Sequence, residues 1–264
     1  KVMDSPVDIS IDSGFKIALS KHEDGQIFVS PDIATCPDCA RELFDKNNRR
    51  YLHPFINCTQ CGPRLTILDS MPYDRVKTSM AGFPMCEACS DEYTDMDSRR
   101  YHAQPVCCND CGPELYTLVG RASESDVQGM GTDSERPEGA YGAAALLETR
   151  AVIRSGGIAA IKGIGGFHLC CDAANEAAVQ RLRQLKARPM KPFAVMMRDL
   201  EVVGRECRLE PEMEPLLTGP QKPIILIPRR DDSAAPENAD SKITDFRIAA
   251  SVAPDNPNLG VMLP

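Results

Sequence analysis

Apolar and polar positions alternate in short stretches near the start of the chain, ISIDSG, FKIALS and QIFVSPD, and this period of two predicts a strand or two within residues 1–35. From 36 to 118 the periodicity lapses and turn-forming residues dominate. Residues 119–140, VGRASESDVQGMGTDSERPEGA, are rich in glycine, serine and acids and read as a linker or insertion. The pattern returns at 141. AYGAAALLETRAVIRS has helical spacing until the pair Gly156–Gly157 stops it. IAAIKG reads as a buried strand and FHLCCDA as a second. NEAAVQRLRQLKAR is an amphipathic helix, with Val179, Leu182 and Leu185 along one side and Pro189 past its end. FAVMM and KPIILIPRR add strands on either side of a helical EPEMEPLL, and DDSAAPENADSK is a polar loop. Strands and helices alternate, so residues 141–264 are expected to form an α/β or α+β domain with helices covering a twisted sheet.

Composition narrows this picture. With 42% hydrophobic residues the 264-residue chain can pack a core, which excludes wholesale disorder. No apolar run approaches eighteen residues, so no spanning helix is expected. The opening KVMDSPVDIS has neither the basic nor the apolar region of a secretory leader, and a cytoplasmic protein is expected. The chain begins without Met and stops within the apolar GVMLP, which reads as a piece of a longer protein. The formal net charge of −8 disfavours nucleic acid and anionic membranes as partners. That charge is unevenly spread: residues 151–230 carry thirteen Lys/Arg against eight Asp/Glu, while 36–111 carry nine against eleven.

Eight of the twelve cysteines fall into C-x-x-C pairs, at Cys36/Cys39, Cys58/Cys61, Cys86/Cys89 and Cys108/Cys111. Eighteen residues separate the two pairs of each block, and the second block repeats the first fifty residues later. The repeat extends to RRY at 49–51 and 99–101 and to CGP at 61–63 and 111–113. Two intervening residues let both thiolates of one turn face a single ion, and a second such turn completes a tetrahedron of soft ligands suited to zinc. A disulfide framework is the rival, but in a reducing compartment paired thiols more often hold metal. Four copies are too many for one redox dithiol, and the spacings differ from those usual for iron–sulfur clusters. Two structural zinc ions per chain are therefore expected, one for each block in sequence. Four thiolates leave no open position for catalysis. The other cysteines, Cys107, Cys170, Cys171 and Cys207, read as small hydrophobes.

Lys162 to His168, KGIGGFH, lies at a strand end, where a glycine-rich turn can bring backbone N–H groups against an anion. The alternative is an ordinary glycine turn, because no phosphate-loop pattern is present. Lys186, Arg188 and Lys191 gather where a helix ends. They could grip phosphate, or they could compensate the helix dipole.

CPDC…RRYLHPFINCTQCGPRLTI, PYDRVKTSMAGFPMC and RRYHAQPVCCNDCGP closely resemble the HypF family of hydrogenase-maturation carbamoyltransferases. KGIGGFHLCCDA followed by LRQLKARPMKPFAVM resembles that family's YrdC-like domain. The resemblance is strong over roughly 30–200 and looser to 264. It implies a tandem zinc-finger repeat over 36–118 and, over 141–264, a truncated YrdC-like nucleotide and carbamoyl-binding domain with a twisted mixed sheet. In that family carbamoyl phosphate is split to carbamate, ATP with magnesium activates it as carbamoyl adenylate, and the group passes to a C-terminal cysteine of a HypE-type partner. It then becomes a cyanide ligand of a nickel–iron hydrogenase. Carried over by position, Lys162, Gly163, Gly165, Gly166 and His168 would line the carbamate and adenylate pocket, and Lys186, Arg188 and Lys191 would hold the ATP phosphates. Arg64 and Arg75 would serve the fold or domain contacts of the zinc region. No catalytic side chain is assigned. The chain departs from the family in its long 119–140 stretch and in stopping before the later YrdC-like motifs and the transferase lobe, so turnover by residues 1–264 alone is not expected. Two other functions compete with transfer. One is binding of double-stranded RNA or other nucleic acid, which the negative zinc region opposes. The other is a zinc module that docks a maturation protein.

Overall fold

Each cysteine block begins with a helix that its first cysteine starts. In the computed structural model, which describes residues 28–118, 139–163, 165–230 and 247–264, α1 spans Pro37–Phe44 and α2 spans Glu87–Thr94. Cys36 and Cys86 are the N-caps, and the Cys36 sulfur accepts from the Cys39 N–H at 3.5 Å. Pro37 suits the first helical position because its missing N–H would have had no partner there. The lead-in strands expected in residues 1–35 lie mostly outside the described residues, as do the 119–140 stretch up to residue 138 and the polar loop after 230.

The fifty-residue repeat is also a backbone repeat. Leu52 and His102 both have positive φ, 55° and 52°, and their N–H groups return to Leu43 O and Tyr93 O at 2.9 and 3.0 Å. Each block has a core built largely of its own sulfurs. Cys39, Cys58 and Cys61 pack with Ile56 in the first, and Cys89 and Cys108 with Val106 and Ala103 in the second. Short 3₁₀ turns at Leu65–Ile67, Arg75–Lys77 and Ser79–Gly82 connect the blocks. Two arginines knit this connection. Arg64 donates to Cys58 O and Thr59 O, both at 2.9 Å, and Arg75 donates to Gln104 O, Val106 O and Phe83 O at 2.7–2.8 Å.

The second half opens with α3, Gly142–Arg154. It stops at Gly156, with φ 81°, and Gly157, where a Cβ would sit 2.6 Å from Val152 O. β1 (Ala159–Gly163) and β2 (Gly166–Cys170) pair antiparallel with each other, Lys162 facing Phe167 and Ile161 facing His168. Then follow α4 (Glu176–Leu185), β3 (Ala194–Met196), α5 (Leu200–Glu206), α6 (Glu214–Thr218), β4 (Ile225–Pro228) and β5 (Asn258–Met262). The larger sheet has the order β3-β5-β4, with β5 parallel to β3 and antiparallel to β4. This is a mixed sheet, as expected. Its core gathers Val179, Val195, Val203, Leu217, Ile227 and Val261, all at most 6% exposed. Among the described residues no helix is long and apolar enough to cross a membrane.

Three details differ from the sequence reading. IAAIKG is a strand but not a buried one: Ala160, Ile161 and Lys162 are exposed, because the hairpin pairs only with itself among the described residues. Leu185 is 68% exposed whereas Val179 and Leu182 are buried. Two successive steps of three drift around a helix of 3.6 residues per turn, and α4 ends at Leu185 before the chain turns back. Helix α5 and central strand β5 carried no expectation. NLGVM follows Pro254 and Pro257 and contains Gly260, and no alternation there is long enough to mark a strand.

Candidate metal centres and a basic concavity

Sulfur positions are the first test of the metal reading. Cys36, Cys39, Cys58 and Cys61 gather in one cluster, and Cys86, Cys89, Cys108 and Cys111 in another, with all ligand atoms of a cluster within 4.8 Å of one another. The grouping is sequential, one block to one cluster. Edges run 3.8 Å from Cys36 to Cys58 and 3.7 Å from Cys58 to Cys61, and 3.6–3.8 Å in the second cluster. A tetrahedron with zinc–sulfur bonds of about 2.3 Å has edges of about 3.8 Å. Both clusters therefore fit a four-thiolate zinc ion without rearrangement, and each can hold a metal.

Around these clusters lie residues to which the sequence reading gave no role. Arg49 reaches out of its own block and points both guanidinium nitrogens at Cys89 Sγ, each at 3.3 Å. Arg50 donates to the same sulfur at 3.5 Å, and both arginines bind Glu92 of α2. Arg99 and Arg100 repeat the arrangement in reverse, onto Cys39 Sγ at 3.6 and 3.9 Å and onto Glu42 of α1. Burial works against the Glu92 carboxylate, but its bonds to Arg50 and the neighbouring arginine charges hold it below the usual range, and Glu42 behaves likewise. The signal in the sequence was the repeated RRY, which the cysteine spacing alone does not explain.

A second unassigned group sits at the interface of the blocks. His53 Nε2 lies 3.2 Å from Cys107 Sγ and its Nδ1 3.0 Å from Asn109 Oδ1. Burial pushes His53 down to about 4 and Cys107 up to about 12, so both are neutral near pH 7. Cys107 occupies the position of Asn57 in the other block, which instead bonds Phe55 O and Pro105 O at 2.7 and 2.9 Å.

The residues expected to bind phosphate are only partly brought together. A broad open concavity of about 2400 Å³ is lined by His168 of β2, by Lys186 and Arg188 after α4, and by Arg198, Arg229 and Arg247 among others. Basic side chains there outnumber its two carboxylates, Asp172 and Glu206, several-fold. Lys162, Gly163, Gly165, Gly166 and Lys191 are not among the lining residues. Within the hairpin it is β2, through Phe167 to Cys170, that lines the concavity, and no residue of β1 does. Facing pairs share a side, so Lys162 and Phe167 lie on one face and Ile161 and His168 on the other. Lys162 Nζ sits 5.2 Å from the Phe167 ring centroid. Gly166, with φ 142°, turns the hairpin in a region that favours glycine.

Arg188 does not project freely. It donates to Lys191 O and Pro192 O at 3.2 and 2.6 Å and lies 5.1 Å from the Phe193 ring centroid. Beneath it, Arg183 holds the whole turn. This buried guanidinium donates to Arg188 O, Pro189 O and Lys191 O at 2.8–3.2 Å, to Val252 O at 3.0 Å and to Ser251 O, and lies 4.5 Å from the Phe193 ring centroid. Its signal was weak: an arginine four residues after Val179, on the stripe that faces the core.

Two family models match the chain. The one described as HypF finger covers residues 35–68 and 85–118, and the one described as Telomere recombination, the Sua5/YciO/YrdC family, covers 151–264. Carbamoyltransferase HypF2 of Cupriavidus necator is 48% identical over 253 residues, covering 95% of this chain and 28% of that protein. Carbamoyltransferase HypF of Rhodobacter capsulatus is 44% identical, covering 95% and 29%. Among solved structures, full-length HypF in a phosphate- and nucleotide-bound form superposes with a TM-score of 0.80 at 43% identity, covering 98% of this chain and 30% of that one. HypF of T. kodakarensis superposes with a TM-score of 0.75 at 42% identity, covering 90% and 28%. The chain thus spans somewhat under a third of the length of the relatives it matches.

Proposed function

Because this chain belongs to the HypF family, we propose that it is the zinc-bearing and nucleotide-binding portion of an ATP-dependent carbamoyltransferase. The observation that carries the reading is the union, in one chain, of two four-sulfur clusters with a basic concavity on a mixed sheet. The clusters supply rigid structure through zinc, and the concavity supplies the cations that a polyphosphate needs.

In this reading carbamate, derived from carbamoyl phosphate, attacks the α-phosphorus of ATP through an oxygen. The bond to the β-phosphate oxygen breaks, and pyrophosphate leaves with the electron pair. Lys186 and Arg188 would offset the charge that builds on the leaving group, with magnesium accompanying the nucleotide as part of the substrate. His168 would line the carbamate and adenylate end of the concavity, whereas Lys191, Lys162, Gly163, Gly165 and Gly166, which do not line it, take no part in this reading. The carbamoyl group then moves to the cysteine sulfur of a HypE-type acceptor, and AMP departs. The proposed compartment is the cytoplasm, where thiols stay reduced for metal.

Isothermal calorimetry with ATP tests the nucleotide reading. Binding by residues 1–264 is expected, and Arg188→Ala should weaken it by about 1.5–3 kcal/mol, the range for hydrogen bonds to charged groups. Unchanged affinity would return Lys186 and Arg188 to helix-end charge compensation. Carbamoyl-phosphate-dependent exchange of labelled pyrophosphate into ATP, run beside a full-length HypF relative, is expected from the relative and almost absent from this chain. Comparable rates would show the pocket to be misplaced. A chain that ignores ATP and binds double-stranded RNA at physiological salt would replace the transferase reading with a nucleic-acid one.

A further inference from the structure

The arginines of each cysteine block serve the sulfurs of the other block. Arg49 and Arg50 lie between Cys39 and Cys58 in sequence, yet they bond Cys89 Sγ and Glu92. Arg99 and Arg100 lie between Cys89 and Cys108, yet they bond Cys39 Sγ and Glu42. The exchange extends to the backbone. Arg50 Nε donates to Cys107 O at 2.8 Å and Arg100 Nε to Asn57 O at 3.0 Å, each onto the residue just before a ligand cysteine of the opposite block. Thr59 N donates to Arg99 O at 3.1 Å, and Asn109 Nδ2 to Arg49 O at 3.2 Å. These pairs map onto one another by a shift of fifty, so the two blocks are related by an approximate two-fold exchange. Arg100 Nη1 also comes within 3.7 Å of Glu92 Oε1, which joins the two arginine pairs into one network.

We propose that the two four-thiolate clusters are one cooperative metal-binding unit, in which each block's arginine pair is the outer shell of the other block's ion. This rests on reading the clusters as zinc sites. A zinc ion with four thiolates leaves a net charge of about −2. Cationic donors beside the sulfurs offset that charge, and N–H groups aimed at a thiolate hold it in the ligating geometry. Arg50 and Arg100 are 2% and 4% exposed, so water does little of this work. Each block lacks an apolar core beyond its own sulfurs and a few neighbours. Losing the ion from one block therefore unfolds the segment that carries its arginine pair, and the other ion loses its outer shell. By linkage the effect is equal in both directions.

The test uses residues 1–264 loaded with zinc and titrated with a chromogenic zinc chelator, followed by native mass spectrometry. Two ions should leave together, with a Hill coefficient above 1 and little one-zinc species at half-loading. Disabling one cluster with Cys86→Ser/Cys108→Ser should weaken zinc at the intact Cys36–Cys61 cluster at least about tenfold, as outer-shell losses do. The decisive variant is Arg49→Gln, a half-exposed position that leaves the buried Arg50 in place. With the outer shell broken on one side only, this variant should now show a one-zinc species under limiting chelator, with thiol alkylation first at Cys86, Cys89, Cys108 and Cys111, the block opposite the substitution, and Arg99→Gln should reverse the pattern. Two ions released independently, or labelling that starts in the substituted block, would overturn the coupling and leave the zinc reading intact. Protein that binds no zinc at all would overturn both.

Discussion

His53 Nε2 stands 3.2 Å from Cys107 Sγ, and with Asn109 on the other ring nitrogen the three side chains have the order of a Cys–His–Asn catalytic group. Their burial denies them that chemistry. Cys107 is 1% exposed and His53 0%, and both are neutral, so no thiolate–imidazolium pair forms and no substrate reaches the sulfur. The group fastens the two cysteine blocks together.

Cys107 should therefore resist alkylation in the folded, metal-loaded protein. Burial pushes its thiol up to about 12, so very little of it is thiolate at pH 7. Raising the pH increases that fraction but leaves the sulfur buried. Mass-spectrometric mapping after iodoacetamide treatment at pH 7 and pH 9 should find label at the half-buried Cys170 and Cys171 before any at Cys107. Rapid labelling of Cys107 would mean that the block interface opens.

Removing metal should unfold residues 36–111. A structural four-thiolate zinc site contributes on the order of 10 kcal/mol of apparent folding free energy, and these blocks have little else to hold them. Elemental analysis should give two zinc per chain, and chelation should abolish protease resistance in this region. Cys207→Ser should leave the zinc content unchanged, since Cys207 packs in the core of the second half.

Gly62 should tolerate no side chain. Its φ is +97°, and a Cβ would fall 2.5 Å from the Asn57 Cβ. Gly62→Ala combines backbone strain with overpacking and should cost about 3 kcal/mol or more. Gly82→Ala has nothing within 4 Å of the added carbon and should stay within about 0.5 kcal/mol of the parent in denaturant melts. Equal effects would refute this account of the Cys58–Gly62 turn.

Arg183→Ala should loosen the turn that carries Lys186, Arg188 and Lys191. It leaves five backbone carbonyls without their shared donor and should cost about 3 kcal/mol, with ATP affinity falling alongside. Lysine cannot replace it, because one ammonium cannot present the planar fork that reaches both Ser251–Val252 and residues 188–191. A stable Arg183→Lys protein with unchanged nucleotide affinity would refute the assignment.

The sequence by itself determined what is local. Two residues between cysteines place both thiolates on one turn, so the ligands of both metal clusters were legible from spacing, as the alternation of strands and helices and the helix over 176–185 were from periodicity. The repeat of fifty was legible too, but not its use. Arg49 and Cys89 are forty positions apart, and no periodicity says that an arginine pair will serve the opposite block instead of its own. Tertiary structure alone decided that exchange, because a buried guanidinium settles where unpaired sulfurs and carboxylates converge. It also decided that β5 lies at the centre of the sheet, with Val261 buried between β3 and β4. The split of Lys162 from His168 followed only once the hairpin register was fixed, since a shift of one residue would exchange the faces of every side chain.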